Sequence, residues 1–198
     1  KTLFLKENIM RKIKRICVVI GSRANYSSIK SLLVELKKDD FFQLQIVVGF
    51  SALIENYGKV SDLIERDGFK IDSYIYAHLD GDHNTMMAKT TGLGIIELSS
   101  AFEKLKPDLV FTIGDRFETL ATAISAAYMN IPLAHTMGGE VSGNLDESVR
   151  HAITKLAHIH FPASKESYDR IIRLGEDRKY VCLSGCARID LIKLISDK

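Results

Sequence analysis

The chain has 198 residues, a length that favours one domain. Hydrophobic residues make up 46 % and charged residues 26 %, so a buried core is affordable without metal or disulfide staples. Lys and Arg number 27 against 25 Asp and Glu, a net charge of +2, which excludes nucleic-acid binding by bulk charge while leaving room for a local basic patch. Three cysteines cannot all pair within one chain and show no framework spacing, which points to a reducing cytosol. The longest mostly apolar stretch, 120–129, is about half of a membrane span, so no membrane partner is expected.

Residues 1–9 precede Met10 and read as a tag remnant or a start-site extension, lacking the pattern of a signal peptide. From there apolar runs of strand length alternate with helical spacing. Residues 15–20 form a Val- and Ile-rich strand broken by Gly21, and a helix follows to about Lys38. Residues 44–48 are a second strand, 59–66 a short helix closed by Gly68, and 71–77 a third strand. A polar stretch, 78–84, leads into a helix ending near Lys106, where Pro107 stops it. Residues 109–113 are a strand, 116–129 a helix with its apolar stripe on Phe117, Leu120, Ala121, Ile124 and Tyr128, and 133–136 a strand. After a glycine loop, Asn144 caps a helix, with Glu147 completing a capping box. A strand over 159–162, a helix over 165–174 and a last strand over 180–183 complete the pattern. The alternation predicts an α/β domain over residues 10–190: a parallel sheet with helices on both faces.

In such sheets ligands sit beyond the carboxyl ends of the strands. That places the candidate chemistry at 21–26, 49–51, 78–84, 114–118 and 136–146. The turn Gly21-Ser22-Arg23-Ala24-Asn25-Tyr26 reads either as an ordinary turn with a solvated Arg23 or as an anion site at a helix start. It is not G-x-G-x-x-G, and no phosphate-loop motif occurs in the chain. Asp115, in Gly114-Asp115-Arg116-Phe117-Glu118, either caps a helix or aims a carboxylate into a cleft. The densest signal is the segment from His135 to Gly143, where Gly138, Gly139 and Gly143 let backbone approach a ligand. Downstream, Asp146 and Arg150 stand four apart on one helix face, and Glu147 and His151 on the next, either as surface pairs or as a helix start facing substrate. His158 and His160 lack a third ligand, so neither metal nor cofactor is expected. Cys182 and Cys186 read as buried apolar residues, and His78, Asp80, Asp82 and His83 as a solvated loop.

The stretches 21–26 and 114–118, and above all the run from Gly138 through Asp146-Glu147-Ser148-Val149-Arg150-His151 to His158, resemble the hydrolysing UDP-N-acetylglucosamine 2-epimerases, with the sialic-acid branch nearest. The resemblance spans about 15–190. It implies the N-terminal half of a GT-B enzyme built from two Rossmann-like domains, with residues 191–198 starting the link to a second domain and the described half inactive by itself. It implies release of UDP and N-acetylmannosamine by carbon-2 proton removal, elimination and hydration, in a cytoplasmic homodimer or tetramer. Carried over by motif, Arg23 would face the diphosphate and Arg116 would bind substrate. Asp115, Asp146, Arg150 and Glu140 would be catalytic, and Gly138, Gly139, Ser142 and His151 would line the sugar. Met137 departs from the pattern, because the family has a Glu there. That opens three alternatives: a related UDP- or GDP-linked substrate such as a diacetamido-trideoxyhexose, altered acid–base groups, or a non-catalytic nucleotide-sugar-binding homologue; a glycosyltransferase half, which would share the architecture, is a further one.

Overall fold

A computed structural model of the chain describes residues 15–81 and 83–196. The expected extension at 1–9, the approach to the first strand, Asp82 and the last two residues lie outside the described residues. Six strands form one fully parallel sheet: β1 (Arg15–Ile20), β2 (Gln43–Gly49), β3 (Ser73–Ile75), β4 (Leu109–Ile113), β5 (Leu133–Thr136) and β6 (Ile159–Phe161). Their lateral order is β3-β2-β1-β4-β5-β6. The helices are α1 (Arg23–Lys38), α2 (Val60–Arg66), α3 (Asn84–Leu105), α4 (Phe117–Tyr128), α5 (Leu145–Leu156), α6 (Lys165–Arg173) and α7 (Ala187–Ser196).

The strands are apolar without alternation because both sheet faces are covered. Along β1, Ile16, Val18 and Ile20 pack with Tyr26, Ile29 and Leu33 of α1 and Ile64 of α2. Cys17 and Val19 point the other way, to Leu98 and Phe102 of α3 and Ala121 of α4. The chain order therefore reverses between β1 and β4, whose following helices leave to opposite faces. At the amino-terminal end of β1, Arg15 clasps Asp108 through Nη2–Oδ1 at 2.9 Å and its own backbone N–H at 2.9 Å. Helix α7 returns to α1, where the Ser31 hydroxyl donates to the Ala187 carbonyl at 2.9 Å.

Four expectations are corrected. The third strand is shorter than 71–77, because the Asp72 carboxylate takes the Ile46 N–H at 2.9 Å and the ladder begins only at Ser73. The expected strand over 180–183 is a 3-10 turn, Arg178–Tyr180, set by the Asp177 carboxylate accepting from the Lys179 N–H, followed by a single parallel bridge from His160 to Val181. Cys182, whose N–H donates to the His160 carbonyl at 2.8 Å along the outer edge of β6, is exposed, Cys186 is half-buried, and only Cys17 of the three cysteines is buried. At the start of α5, the Asn144 side chain makes no cap to the helix. Glu147 instead reaches past it to accept from the Ser142 and Gly143 N–H groups, each at 2.8 Å.

Candidate functional site

The carboxyl ends of β1, β4 and β5 are tied together by side chains of the loops they feed. Asn25, in the first turn of α1, accepts from the Gly21 N–H at 3.1 Å and donates to the Ile113 carbonyl at 3.4 Å, joining the tips of β1 and β4. Ser22 caps α1, its hydroxyl accepting from the Asn25 N–H. From β5, His135 is fully buried and its Nε2–H donates to the Gly114 carbonyl at 2.7 Å. Burial holds its pKa down at about 4, against the pull of that carbonyl, so the ring is neutral and rigid beneath the β4 turn.

Above this floor sits Arg150, on the second turn of α5 and only 4 % exposed. It forms an ion pair with the Asp115 carboxylate at the tip of β4. Its Nη1–H donates to the Glu140 carbonyl at 2.7 Å, and Nη2 lies 3.5 Å from the Ser142 hydroxyl. One guanidinium thus fixes the β4 turn and the glycine loop in a common frame, the fork geometry that favours arginine over lysine. The loop is held from its other side by Arg170 of α6, which donates to the Gly139 carbonyl. Gly139 has φ +78°, and a Cβ there would run into the Ser167 backbone of α6, so only glycine fits. Glu140 is half-buried, and desolvation raises its carboxyl pKa against the nearby Arg150, with Asp115 adding to the rise.

The structure brings together Asp115, Arg150, Glu140, Ser142, Gly138 and Gly139 of the expected set. Asp146 is half-buried on the same helix start, close enough that its charge, with that of Asp115, bears on Glu118. The expected Asp146–Arg150 pair is replaced: Arg150 turns to Asp115, a partner 35 residues away in sequence. His151 lies on the outer side of α5, its Nε2 3.9 Å from Glu147. Arg116 stands at the start of α4 without a side-chain cap, half-exposed at the rim. Arg23 is exposed and faces a different groove, lined by Tyr26, Lys30, Leu63, Arg188 and Leu191 and by none of the carboxylates. Three residues carry weight without having been singled out: His135, Arg170 and Glu118. A glutamate just after a strand-tip glycine turn is a readable signal for Glu118, whereas nothing local marks Arg170.

Among the described residues no three His, Cys, Asp or Glu side chains gather as a metal site, and no helix is long and apolar enough to cross a membrane. A family profile for UDP-N-acetylglucosamine 2-epimerases matches residues 34–198. A UDP-N,N'-diacetylbacillosamine 2-epimerase (hydrolyzing) of Legionella pneumophila is 39 % identical over 180 residues, covering 91 % of this chain and 48 % of that protein. A GDP/UDP-N,N'-diacetylbacillosamine 2-epimerase (hydrolyzing) of Campylobacter jejuni is 36 % identical, covering 91 % and 47 %. The crystal structure of the Neisseria meningitidis UDP-GlcNAc 2-epimerase bound to UDP-GlcNAc superposes with a TM-score of 0.81 at 20 % identity, over 92 % of this chain and 50 % of that one. The chain spans about half the length of the curated relatives it matches. With the profile matching most of its length and its strand-tip motifs drawn into one rim, the chain belongs to the UDP-N-acetylglucosamine 2-epimerase family.

Proposed function

We propose that the protein containing this chain is a hydrolysing 2-epimerase of UDP-linked 2-acetamido sugars, with the 2,4-diacetamido-6-deoxy class as its preferred substrate. The support for the sugar is the wording of the two relatives' names, both of which act on diacetylbacillosamine. The support for the chemistry is one observation: a single buried guanidinium, Arg150, holds Asp115 by its side chain and Glu140 by its backbone. Two carboxyl groups in such different settings divide the proton work. Asp115, ion-paired and fixed, takes the proton from carbon 2 as the bond from carbon 1 to the UDP oxygen breaks, leaving a double bond between carbons 1 and 2. Glu140, whose pKa is raised by burial, returns a proton to carbon 2 from the other face while water adds its hydroxyl to carbon 1, and the proton that the water loses restores the Glu140 carboxyl. Arg116 at the rim offsets charge on the departing diphosphate.

The test is turnover by the full-length protein in deuterium oxide, with UDP-GlcNAc and the UDP-linked 2,4-diacetamido sugar as substrates. The expected products are UDP and the free 2-epimeric sugar carrying deuterium at carbon 2, formed faster from the diacetamido sugar. Product without label at carbon 2, or sugar transferred to an acceptor, overturns the reading. A second reading, a nucleotide-sugar-binding homologue without turnover, draws on Met137, which sits in the glycine loop at φ +61° and packs against the core rather than supplying a carboxyl. Under that reading the wild-type protein binds and does not turn over, and Met137→Glu gains activity.

A further inference from the structure

The sheet reverses its winding between β1 and β4, and crevices at such reversals are where open α/β sheets take ligands. Three costly features meet there. Gly21 ends β1 with no room for a side chain: a Cβ would lie 2.6 Å from Glu118 Cγ and 3.3 Å from the Phe50 ring. Phe50, at the tip of β2, is fully buried with φ +54°, a left-handed backbone that a bulky residue adopts only under constraint. Glu118, on the first turn of α4, has a carboxylate only 2 % exposed, and neither oxygen accepts a hydrogen bond from any other residue. Its nearest charged neighbour is the Nε of half-exposed Arg116, 3.6 Å from Oε1.

A buried carboxyl with one long contact to an arginine and no hydrogen bond from another residue weakens a fold, since desolvation is poorly offset. It lies against the Gly21 turn of β1 and just past the tip of β4, with Arg116 Nε 3.6 Å away, where a ligand can supply the missing hydrogen bonds. The chemistry of that partner is narrow. With Arg116 left to the diphosphate, a second anion at the Glu118 carboxyl itself is disfavoured by the neighbouring Asp115 and Asp146 charges, and Arg116 beside it argues against a metal ion. An uncharged hydrogen-bonding group remains. Burial also raises the carboxyl pKa, helped by Asp146 and Asp115 and opposed by Arg116.

We propose that Glu118 is a substrate-contact residue for the sugar, pairing with a hydroxyl or acetamido group of the 2-acetamido hexose from the floor of this crevice. The assignment rests on reading the rim as a nucleotide-sugar site. It makes Glu118 a reader of the sugar and leaves the nucleotide to other groups.

The experiment is calorimetric titration of the full-length protein with UDP-GlcNAc and separately with UDP, for wild type, Glu118→Gln and Glu118→Met. The expected result for Glu118→Met is about tenfold weaker binding of UDP-GlcNAc, the worth of a lost buried hydrogen bond, with UDP unchanged. Its thermal midpoint rises, because an apolar side chain of similar length replaces an unpartnered carboxyl. Glu118→Gln, which keeps a hydrogen-bonding group, loses less affinity for the sugar nucleotide and carries the comparison if Glu118→Met does not fold. Equal weakening of UDP and UDP-GlcNAc, unchanged UDP-GlcNAc binding, or a fall in thermal midpoint together with both affinities overturns the proposal and makes Glu118 structural. A wild-type protein that binds UDP-GlcNAc without epimerising it overturns the proposed reaction alone. One that binds neither ligand overturns both.

Discussion

Arg150 shows how much a single side chain sets in this site. It is buried and ion-paired, so its removal would leave the Asp115 carboxylate without its partner and the Glu140 carbonyl without its donor. Asp115 is the more informative residue to change, because the pair can be weakened without opening a cavity. In the full-length protein, Asp115→Asn keeps the shape and the hydrogen bonding of the tip of β4. Turnover is expected to fall about a hundredfold or more, the loss typical of a removed general base, while affinity for UDP stays within about threefold. Equal losses in turnover and UDP affinity would make Asp115 a binding or scaffold residue. The placing of Asp115, Arg150 and Glu140 at the strand tips is legible in the sequence, since each lies just after a strand or on the helix start that follows. Their pairing is not. A spacing of four on α5 favours Asp146 for Arg150, but the β4 and β5 tips bring Asp115 nearer, and nothing local in the sequence encodes that approach. Glu118 was equally readable as a strand-tip acid, and its burial follows only from Gly21 lying against its stem.

At the scale of the element, the loop between β5 and α5 is fastened at every polar step. Arg170 holds the Gly139 carbonyl, Arg150 the Glu140 carbonyl, and Glu147 the Ser142 and Gly143 amides. Two of its glycines separate backbone strain from crowding. Gly143 has φ +71° with open space where a Cβ would go, so Gly143→Ala costs only the strained backbone, about 1 kcal/mol. Gly139 has a similar φ but faces the Ser167 backbone, so Gly139→Ala adds a clash with α6 and is expected to cost about 3 kcal/mol and to displace Glu140. Thermal unfolding and UDP release measured on both variants check this. Equal destabilisation would mean that α6 yields and that the loop is not pinned. The glycines themselves announced this loop, and the apolar runs announced all six strands, the third over too long a range. The sequence failed where a side chain intercepts a backbone group. Asp72 shortens β3, Asp177 turns the expected last strand into a 3-10 turn, and Glu147 bypasses Asn144. Such competition depends on where a carboxylate happens to point, which hydrophobic spacing does not record.

For the molecule as a whole, strand–helix alternation was enough to read a parallel sheet covered on both faces, because strands buried twice must be apolar throughout. The lateral order of the strands, and with it the reversal of winding between β1 and β4, emerges only when the crossovers are placed. The same packing makes the fold acid-sensitive at an identifiable point. His135 is held neutral inside the sheet with its pKa near 4, while the unfolded chain titrates it near about 6.5. Between those values the unfolded state binds the proton and the native state does not, so stability rises with pH across that window and is lost as pH falls through it. About 2.5 pK units correspond to about 3 kcal/mol. His160, buried beside Glu176 and lowered chiefly by desolvation, adds to the same slope. Glu118 and Glu140 act in the opposite sense: their raised values mean that the native state keeps its protons longer, so their contribution falls as pH rises above the ordinary carboxylate range. The His135 share is therefore read as a difference. Denaturant unfolding of wild type and His135→Gln at intervals from pH 4 to 7.5 is expected to show the variant less stable at pH 7.5, having lost the bond to the Gly114 carbonyl, and the gap narrowing by about 3 kcal/mol toward pH 4. Parallel curves would mean that His135 takes up its proton in the folded protein as readily as in the unfolded one, and that the ring does not hold the β4 turn by staying neutral.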